Sequence, residues 1–218
     1  MVTLGELRAR VAATYDRLGM PSWPNPHPGG TPARDEEYSR VTEPERYRVV
    51  HARARAWADR LGDLPGVEVE TLPPVNQGFD RGVRLTSSRA GTLPLLLLER
   101  DMRPHRRETW PAVLRISVVR PEIALDEQPD CGCDACDCGS VDLLTTVDRT
   151  IGSVVGGPFV ALRGNGWHAL WHPDGGSSGG TGQGPDHAHV LELCRRLADG
   201  EDVALPDGTE AFVGRGWL

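Results

Sequence analysis

Residues 93–119 read LPLLLLERDMRPHRRETWPAVLRISVV, two apolar segments on either side of a charged turn. Leu95 to Leu98 and Val113 to Val119 are apolar at nearly every position, which is typical of central strands buried on both faces. Because prolines and charged residues separate the segments, we expect them to be strands of one meander.

Two further candidate strands, Val67–Leu72 and Gly82–Ser87, extend this meander toward the N-terminus. Helices are predicted around it from apolar residues at helical spacing. They cover residues 3–18, 42–61, 141–155 and 186–198, and hairpins are expected at 159–171 and 203–213. Thr3 with Glu6, and Thr42 with Glu45, have the spacing of a capping box. Helices at the N-terminus and hairpins in the middle indicate an α+β fold with a mainly antiparallel sheet and a helix after the Cys-rich loop.

The chain divides into an N-terminal helical arm, residues 1–62, and an α+β domain, residues 63–218, which we expect to form one compact unit. Residues 21–32 hold five prolines and two glycines and predict an extended linker within that arm. Residues 173–184 are rich in glycine and serine and predict a mobile loop. The Cys-rich loop covers residues 129–140.

Composition excludes several classes of function. All 24 basic residues of the 218 are arginine, so phosphate-binding, Schiff-base and kinase lysines are absent. A net charge of −7 argues against generic nucleic-acid binding. Apolar runs fall short of the ~20 residues of a membrane helix, and the N-terminus lacks a signal-peptide core. We therefore expect a cytoplasmic protein with reduced thiols and no membrane partner.

Residues 131–138 read CGCDACDC and hold four of the five cysteines. Tetrahedral zinc takes four sulfur or nitrogen ligands, and C-x-x-C directs two thiolates at one ion. Cys133 and Cys136 have that spacing, and Cys131 and Cys138 flank them. The sequence therefore predicts a zinc site with these four ligands, and an all-cysteine site is typical of a structural role.

The charge around the cysteines favours a metal over a redox nucleophile. Residues 121–148 hold eight acidic and no basic side chains. Reactive thiols need an electropositive setting, whereas a divalent cation deprotonates its thiol ligands directly. The acidic side chains must then point away from the sulfur atoms, since four thiolates already leave the zinc site at −2.

Alternatives to a four-cysteine zinc site stay open. A disulfide between Cys131 and Cys136, or between Cys133 and Cys138, is disfavoured in the cytosol. An iron–sulfur centre usually needs wider spacing. Because eight residues are a tight span, Cys138 is a spare thiol if a distant residue such as His187 or His189 completes the site.

Other candidate sites have plainer interpretations. Arg100, Arg103, Arg106 and Arg107 form a basic turn that would suit an anionic ligand or an acidic protein, although pairing with the chain's own acids is favoured. Residues 176–180, GSSGG, match G-x-S-x-G inside low-complexity sequence, which we interpret as chance. Cys194 lies on an apolar helix stripe and is expected in a core.

The chain resembles an uncharacterised actinobacterial family, a domain of unknown function with a CGCDAC motif. The resemblance covers roughly residues 65–172, through residues 81–86, 91–100, 131–136 and 154–164. It implies a bacterial, cytosolic origin and no known activity.

The pattern as a whole predicts a zinc-stabilised, non-catalytic binding or regulatory protein. The alternatives are an enzyme with an open zinc position and a thiol-redox or metal-handling protein.

Overall fold

A computed structural model describes residues 2–38, 40–74, 78–105, 108–181 and 184–218. Four α-helices form in this part of the chain: α1 (Leu4–Asp16), α2 (Val49–Gly62), α3 (Ser140–Gly156) and α4 (His187–Ala198). The strands are β1 (Val67–Leu72), β2 (Arg81–Ser87), β3 (Leu95–Arg100), β4 (Arg103–His105), β5 (Glu108–Trp110), β6 (Val113–Val118), β7 (Ala124–Gln128), β8 (Phe159–Gly164), β9 (Trp167–His172), β10 (Gly175–Gly180) and β11 (Glu210–Gly214). None of the four helices is long and apolar enough to cross a bilayer.

The first sheet has the order β1-β2-β3-β6-β7, and each neighbouring pair is antiparallel. Its centre is the predicted pair, in which Leu95 lies opposite Val118 and Leu97 lies opposite Ile116. These four side chains are buried. The sequence prediction of an α+β fold with a mainly antiparallel sheet is confirmed, and so is the helix after the Cys-rich loop.

Three helices cover one face of this sheet. Helix α2 contacts β1, β2 and β6, and α1 and α3 pack against α2. Leu7 of α1, Trp57 of α2 and Ile151 of α3 are fully buried in the shared core. The N-terminal helix begins with the predicted capping box, in which the Thr3 hydroxyl accepts from the backbone of Glu6 and the Glu6 carboxylate accepts from that of Thr3.

The second sheet has the order β10-β9-β8-β11 and packs against α4. Two sequence predictions were wrong here. Residues 175–180 pair with β9 instead of forming a loop, because their glycines leave room for the neighbouring strand. The last strand, β11, pairs with β8 instead of with residues 203–205.

The start of α2 also differs from its prediction. Thr42 does not cap the helix, because its hydroxyl and backbone N–H both donate to Asp134. A 3₁₀ turn, Pro44–Arg48, precedes α2 instead. Arg53 is only 7% exposed and donates from Nε and Nη2 to the Asp148 carboxylate of α3. Trp57 Nε1 donates to the same carboxylate at 2.7 Å.

Replacing Asp148 by alanine leaves the Arg53 guanidinium and the Trp57 indole N–H buried without an acceptor. We expect Asp148→Ala to lower the free energy of unfolding by about 3 kcal/mol, as removal of one partner of a buried ion pair does. Urea denaturation measures this value. Asp202→Ala, which removes an exposed carboxylate, is the control, and equal stability of the two variants would contradict the assignment.

Candidate metal centre

The Cys-rich loop connects the end of β7 to the start of α3. It brings together three of the four predicted ligands: the sulfur atoms of Cys131, Cys133 and Cys136 all lie within 4.8 Å of one another. Two thiolates on one tetrahedral zinc lie about 3.8 Å apart, given Zn–S bonds of about 2.3 Å. The three cysteines are therefore close to the spacing that a metal ion requires.

A short 3₁₀ turn, Asp134–Cys136, produces this spacing. The Cys136 N–H donates to the Cys133 carbonyl at 3.0 Å, which folds the C-x-x-C segment back on itself. Cys133 is buried beneath the turn, whereas Cys131 and Cys136 are exposed. The Sγ atoms of Cys131 and Cys133 are 3.2 Å apart.

The ionisation of the three thiols is linked through these contacts. A hydrogen bond from the Cys133 backbone lowers the pKa of Cys131 below its usual value. The hydrogen bond to Cys133, followed by burial and the bond to Cys131, raises the pKa of Cys136 to about 12. One thiolate thus suppresses ionisation of its neighbour, and a divalent cation is what allows several thiolates to coexist.

Cys138 lies outside the three-sulfur group, and its thiol donates to the Cys136 carbonyl at 3.5 Å. It nevertheless lines the same small cavity, of about 100 Å³, as Cys131 and Cys136. Burial, and then the charges of Asp142 and Asp137, raise the pKa of Cys138.

His187 and His189 begin α4, which packs against the second sheet. His187 Nδ1 lies 2.6 Å from the Ser178 hydroxyl. Within the described ranges, no histidine joins the three cysteine sulfur atoms.

The two aspartates inside the motif point toward another segment. This segment is the Pro-rich arm, defined as residues 21–43, which crosses the loop. The Asp134 carboxylate accepts from Arg40 Nε at 2.6 Å and from both the N–H and the hydroxyl of Thr42. The Asp134 N–H donates to the Arg40 carbonyl at 2.8 Å, so this residue is held to the arm at both ends.

Asp137 is 7% exposed and forms the deeper contact with the arm. Its carboxylate accepts from the Trp23 indole N–H at 3.0 Å, from Arg46 Nη2, and from the Gly139 N–H at 2.8 Å. The Arg46 guanidinium also lies 4.9 Å from the centre of the Trp23 ring and 5.3 Å from that of Tyr47. The Asp137 carboxylate therefore has hydrogen-bond partners on the arm (Trp23), on the 3₁₀ turn before α2 (Arg46) and in its own loop (Gly139).

The glycine before α3 permits the arm to approach. A Cβ on Gly139, whose φ is +84°, would lie 2.6 Å from the Asn25 nitrogen and 2.8 Å from the Pro24 carbonyl carbon. Ser140 is the first residue of α3, and its N–H donates to the Trp23 carbonyl at 3.1 Å. The arm thus contacts the backbone of Gly139, just before α3, and of Ser140, the first residue of α3.

Other predicted sites lie elsewhere. Arg100 pairs with Glu127 at 3.3 Å and Arg103 with Asp80 at 2.6 Å, while Arg106 and Arg107 fall outside the described residues. Ser178, the serine of the G-x-S-x-G match, lies within edge strand β10 instead of at a strand-to-helix turn. Cys194 is fully buried in the core between α4 and the second sheet, as expected.

Sequence reasoning missed the role of the arm. The prolines indicated an extended segment, but nothing in their pattern gives its path. One signal was available in the motif, because Asp134 and Asp137 lie between cysteines that would bind a metal. Each of these two carboxylates would then need a cationic or N–H partner from another segment.

A sequence profile described as a family of unknown function, DUF6226, matches residues 10–218. No curated protein and no solved structure is significantly similar to the chain.

Asp134→Ala should loosen the arm, because it removes the acceptor for Arg40 and Thr42. Trypsin cuts this lysine-free chain only after arginine, so we expect faster cleavage after Arg40. The loss of charge-assisted bonds also lowers the free energy of unfolding by about 1–3 kcal/mol.

The rate of the 40–41 cut, followed by mass spectrometry, measures this effect. Asp130→Ala is the matched control, since that carboxylate accepts from the neighbouring Cys131 N–H and, in the described part of the chain, forms no hydrogen bond or ion pair with the arm. Equal cleavage rates in the two variants would show that Asp134 does not hold the arm.

Proposed function

Because the chain belongs to this family of unknown function, its role has to be argued from its own residues, and we propose that it is a non-catalytic binding or regulatory protein stabilised by a structural zinc ion. The observation that carries the proposal is the gathering of the Cys131, Cys133 and Cys136 sulfur atoms within 4.8 Å. A bacterial, cytoplasmic setting with reduced thiols is part of this proposal.

Sulfur ligands in a compact turn favour zinc among common metal ions. Thiolate selects soft or borderline ions such as zinc, whereas magnesium and calcium take oxygen ligands. The two aspartates inside the motif, Asp134 and Asp137, are engaged by Arg40, Thr42, Trp23 and Arg46 and are unavailable as oxygen ligands. This donor set supports zinc.

We propose Cys138 as the fourth ligand. It lines the same cavity of about 100 Å³ as Cys131 and Cys136, which places it beside the three-sulfur group. His187 is engaged with Ser178 on the second sheet, which argues against a histidine from α4. Four thiolates would close the coordination sphere and leave no position for a catalytic water.

The proposed metal would fix the conformation of the loop to which the arm is hydrogen-bonded. Asp134 and Asp137 lie between the ligands in sequence, so holding the sulfur atoms also orients both carboxylates toward Arg40, Thr42, Trp23 and Arg46. Together, the arm and the loop would form a rigid surface. We propose that surface as the contact for a partner.

The basic turn is a weaker candidate for the partner surface. Arg100 and Arg103 already pair with acidic side chains of this chain, which reduces the charge they offer to an acidic protein or small anion. Surface pairs of this kind are common and contribute little.

Cys133→Ala tests the metal directly. We expect wild-type protein purified without chelators or a His-tag to hold one zinc per chain, and Cys133→Ala to lose it and to unfold at a lower temperature. Elemental mass spectrometry and thermal denaturation measure the two effects. Cys194→Ala is the matched control, because it removes the other buried thiol and should retain the zinc.

The result also separates the alternatives. Absence of zinc in the wild type, or retention in Cys133→Ala, would contradict the proposal. A metal-free protein that stays folded but loses a measurable turnover would favour an enzyme. Thiols that react rapidly with a disulfide reagent while zinc is bound would favour redox or metal-handling chemistry.

Cys138→Ala tests the fourth ligand. In cobalt-substituted protein, we expect this change to lower the thiolate-to-cobalt charge-transfer absorption by roughly a quarter, from four Co–S bonds to three. Cys194→Ala should leave the spectrum unchanged. An unaltered spectrum in Cys138→Ala would show that another ligand completes the site.

A further inference from the structure

A second candidate site lies between α1 and α3 and shares no lining residue with the cavity beside the cysteines. A cavity of about 630 Å³ opens between α1, the C-terminal half of α3 and the turn after β9. We name it the α1–α3 cleft. It is lined by Arg8, Asp148, Arg149, Ser153, His172 and Asp174, among others.

Two arginines in this cleft have no carboxylate partner. Many arginines of the chain pair with an acid, but across the described ranges no carboxylate oxygen lies within 4.0 Å of the Arg8 or Arg149 guanidinium. The two come from different helices and meet at one cavity. They leave two positive charges facing the same space.

The acids near them are engaged by other side chains or lie at the rim of the cleft. Asp148 accepts from Arg53 and from the Trp57 indole, so its charge is balanced by an arginine of α2. The Asp174 side chain is 97% exposed at the rim. Asp126 lies in an adjacent cavity that shares Arg149, where it accepts from Thr150 and Gln128.

Gly152 leaves the space that the Arg8 guanidinium occupies. A Cβ on Gly152, which is buried in α3, would lie 2.4 Å from Arg8 Nη2 and 3.2 Å from its Cζ. The guanidinium therefore lies directly against the helix backbone at a position that any other residue would fill. Glycine in a helix interior costs about 1 kcal/mol of stability relative to alanine. At position 152 this cost comes with room for the Arg8 guanidinium against the helix, which an alanine methyl group would fill.

The imidazole of His172 adds a neutral donor. Its Nδ1 accepts from the Asp174 N–H at 3.2 Å, which leaves the ring proton on Nε2. Burial, and to a smaller degree the charge of Arg149, lowers the pKa of His172, opposed by Asp174. Two guanidinium groups and an N–H around one cavity match an oxyanion carrying two negative charges.

We propose that the α1–α3 cleft binds the phosphate group of a small molecule, held by Arg8, Arg149 and His172. The charge of a phosphate monoester balances the two arginines, whereas a carboxylate balances one. The site does not depend on the metal centre and adds a ligand class to the proposed binding function.

Titration with inorganic phosphate at constant ionic strength tests the proposal, followed by amide chemical shifts of the folded protein. We expect saturable shifts at residues of the cleft in the millimolar range and weaker binding of acetate. Arg149→Gln and Arg8→Gln should each weaken phosphate binding about tenfold, as loss of a charge-assisted hydrogen bond does. Arg10→Gln is the matched control, since Arg10 is an exposed arginine of α1 that does not line the cleft.

Gly152→Ala gives a second test that does not remove charge. The added methyl group displaces Arg8, so phosphate should bind more weakly, while the melting temperature stays the same or rises because alanine favours the helix. No saturable shift with phosphate, equal weakening by Arg10→Gln, or unchanged binding in Gly152→Ala would each overturn the proposal. Acetate that binds as tightly as phosphate would overturn the assignment of a dianion.

Discussion

The candidate centre depends on the hydrogen bonds that the buried Asp137 carboxylate accepts. It is buried between two cysteines of the motif, and it accepts from the Trp23 indole, the Arg46 guanidinium and the Gly139 N–H. A buried carboxylate without such partners would be costly, and beside thiolates the cost would rise further. By turning to the arm, it allows Cys131, Cys133 and Cys136 to face one another. Arm and loop therefore hold each other in place.

The parts of the fold that were predictable are those whose signal is local. The buried pair β3 and β6 could be recognised because Leu95–Leu98 and residues 113–118 carry apolar residues at nearly every position. The boundaries of α3 and α4 follow from helical spacing and from nearby glycines. The motif predicted a site of four cysteines, and three of them, Cys131, Cys133 and Cys136, have their sulfur atoms within 4.8 Å of one another.

The parts that were missed depend on distant residues. Strand β10 is glycine and serine, with no side-chain pattern of its own, and it forms because β9 offers an open edge. Arg53 has the position of a surface residue on α2, and only the approach of Asp148 from α3 makes burial favourable. The arm reaches Asp134 and Asp137 across about a hundred residues of sequence, a distance over which no periodicity carries information.

Hydrogen exchange of the arm with and without zinc tests the central claim, that the proposed metal site and the arm form one unit. The account predicts that removing zinc with a chelator speeds amide exchange in residues 21–43 and 129–140, and leaves strands β8 and β9 unchanged. Exchange in the arm that is the same with zinc and with chelator would contradict it, because the loop would then hold the arm without any help from a metal.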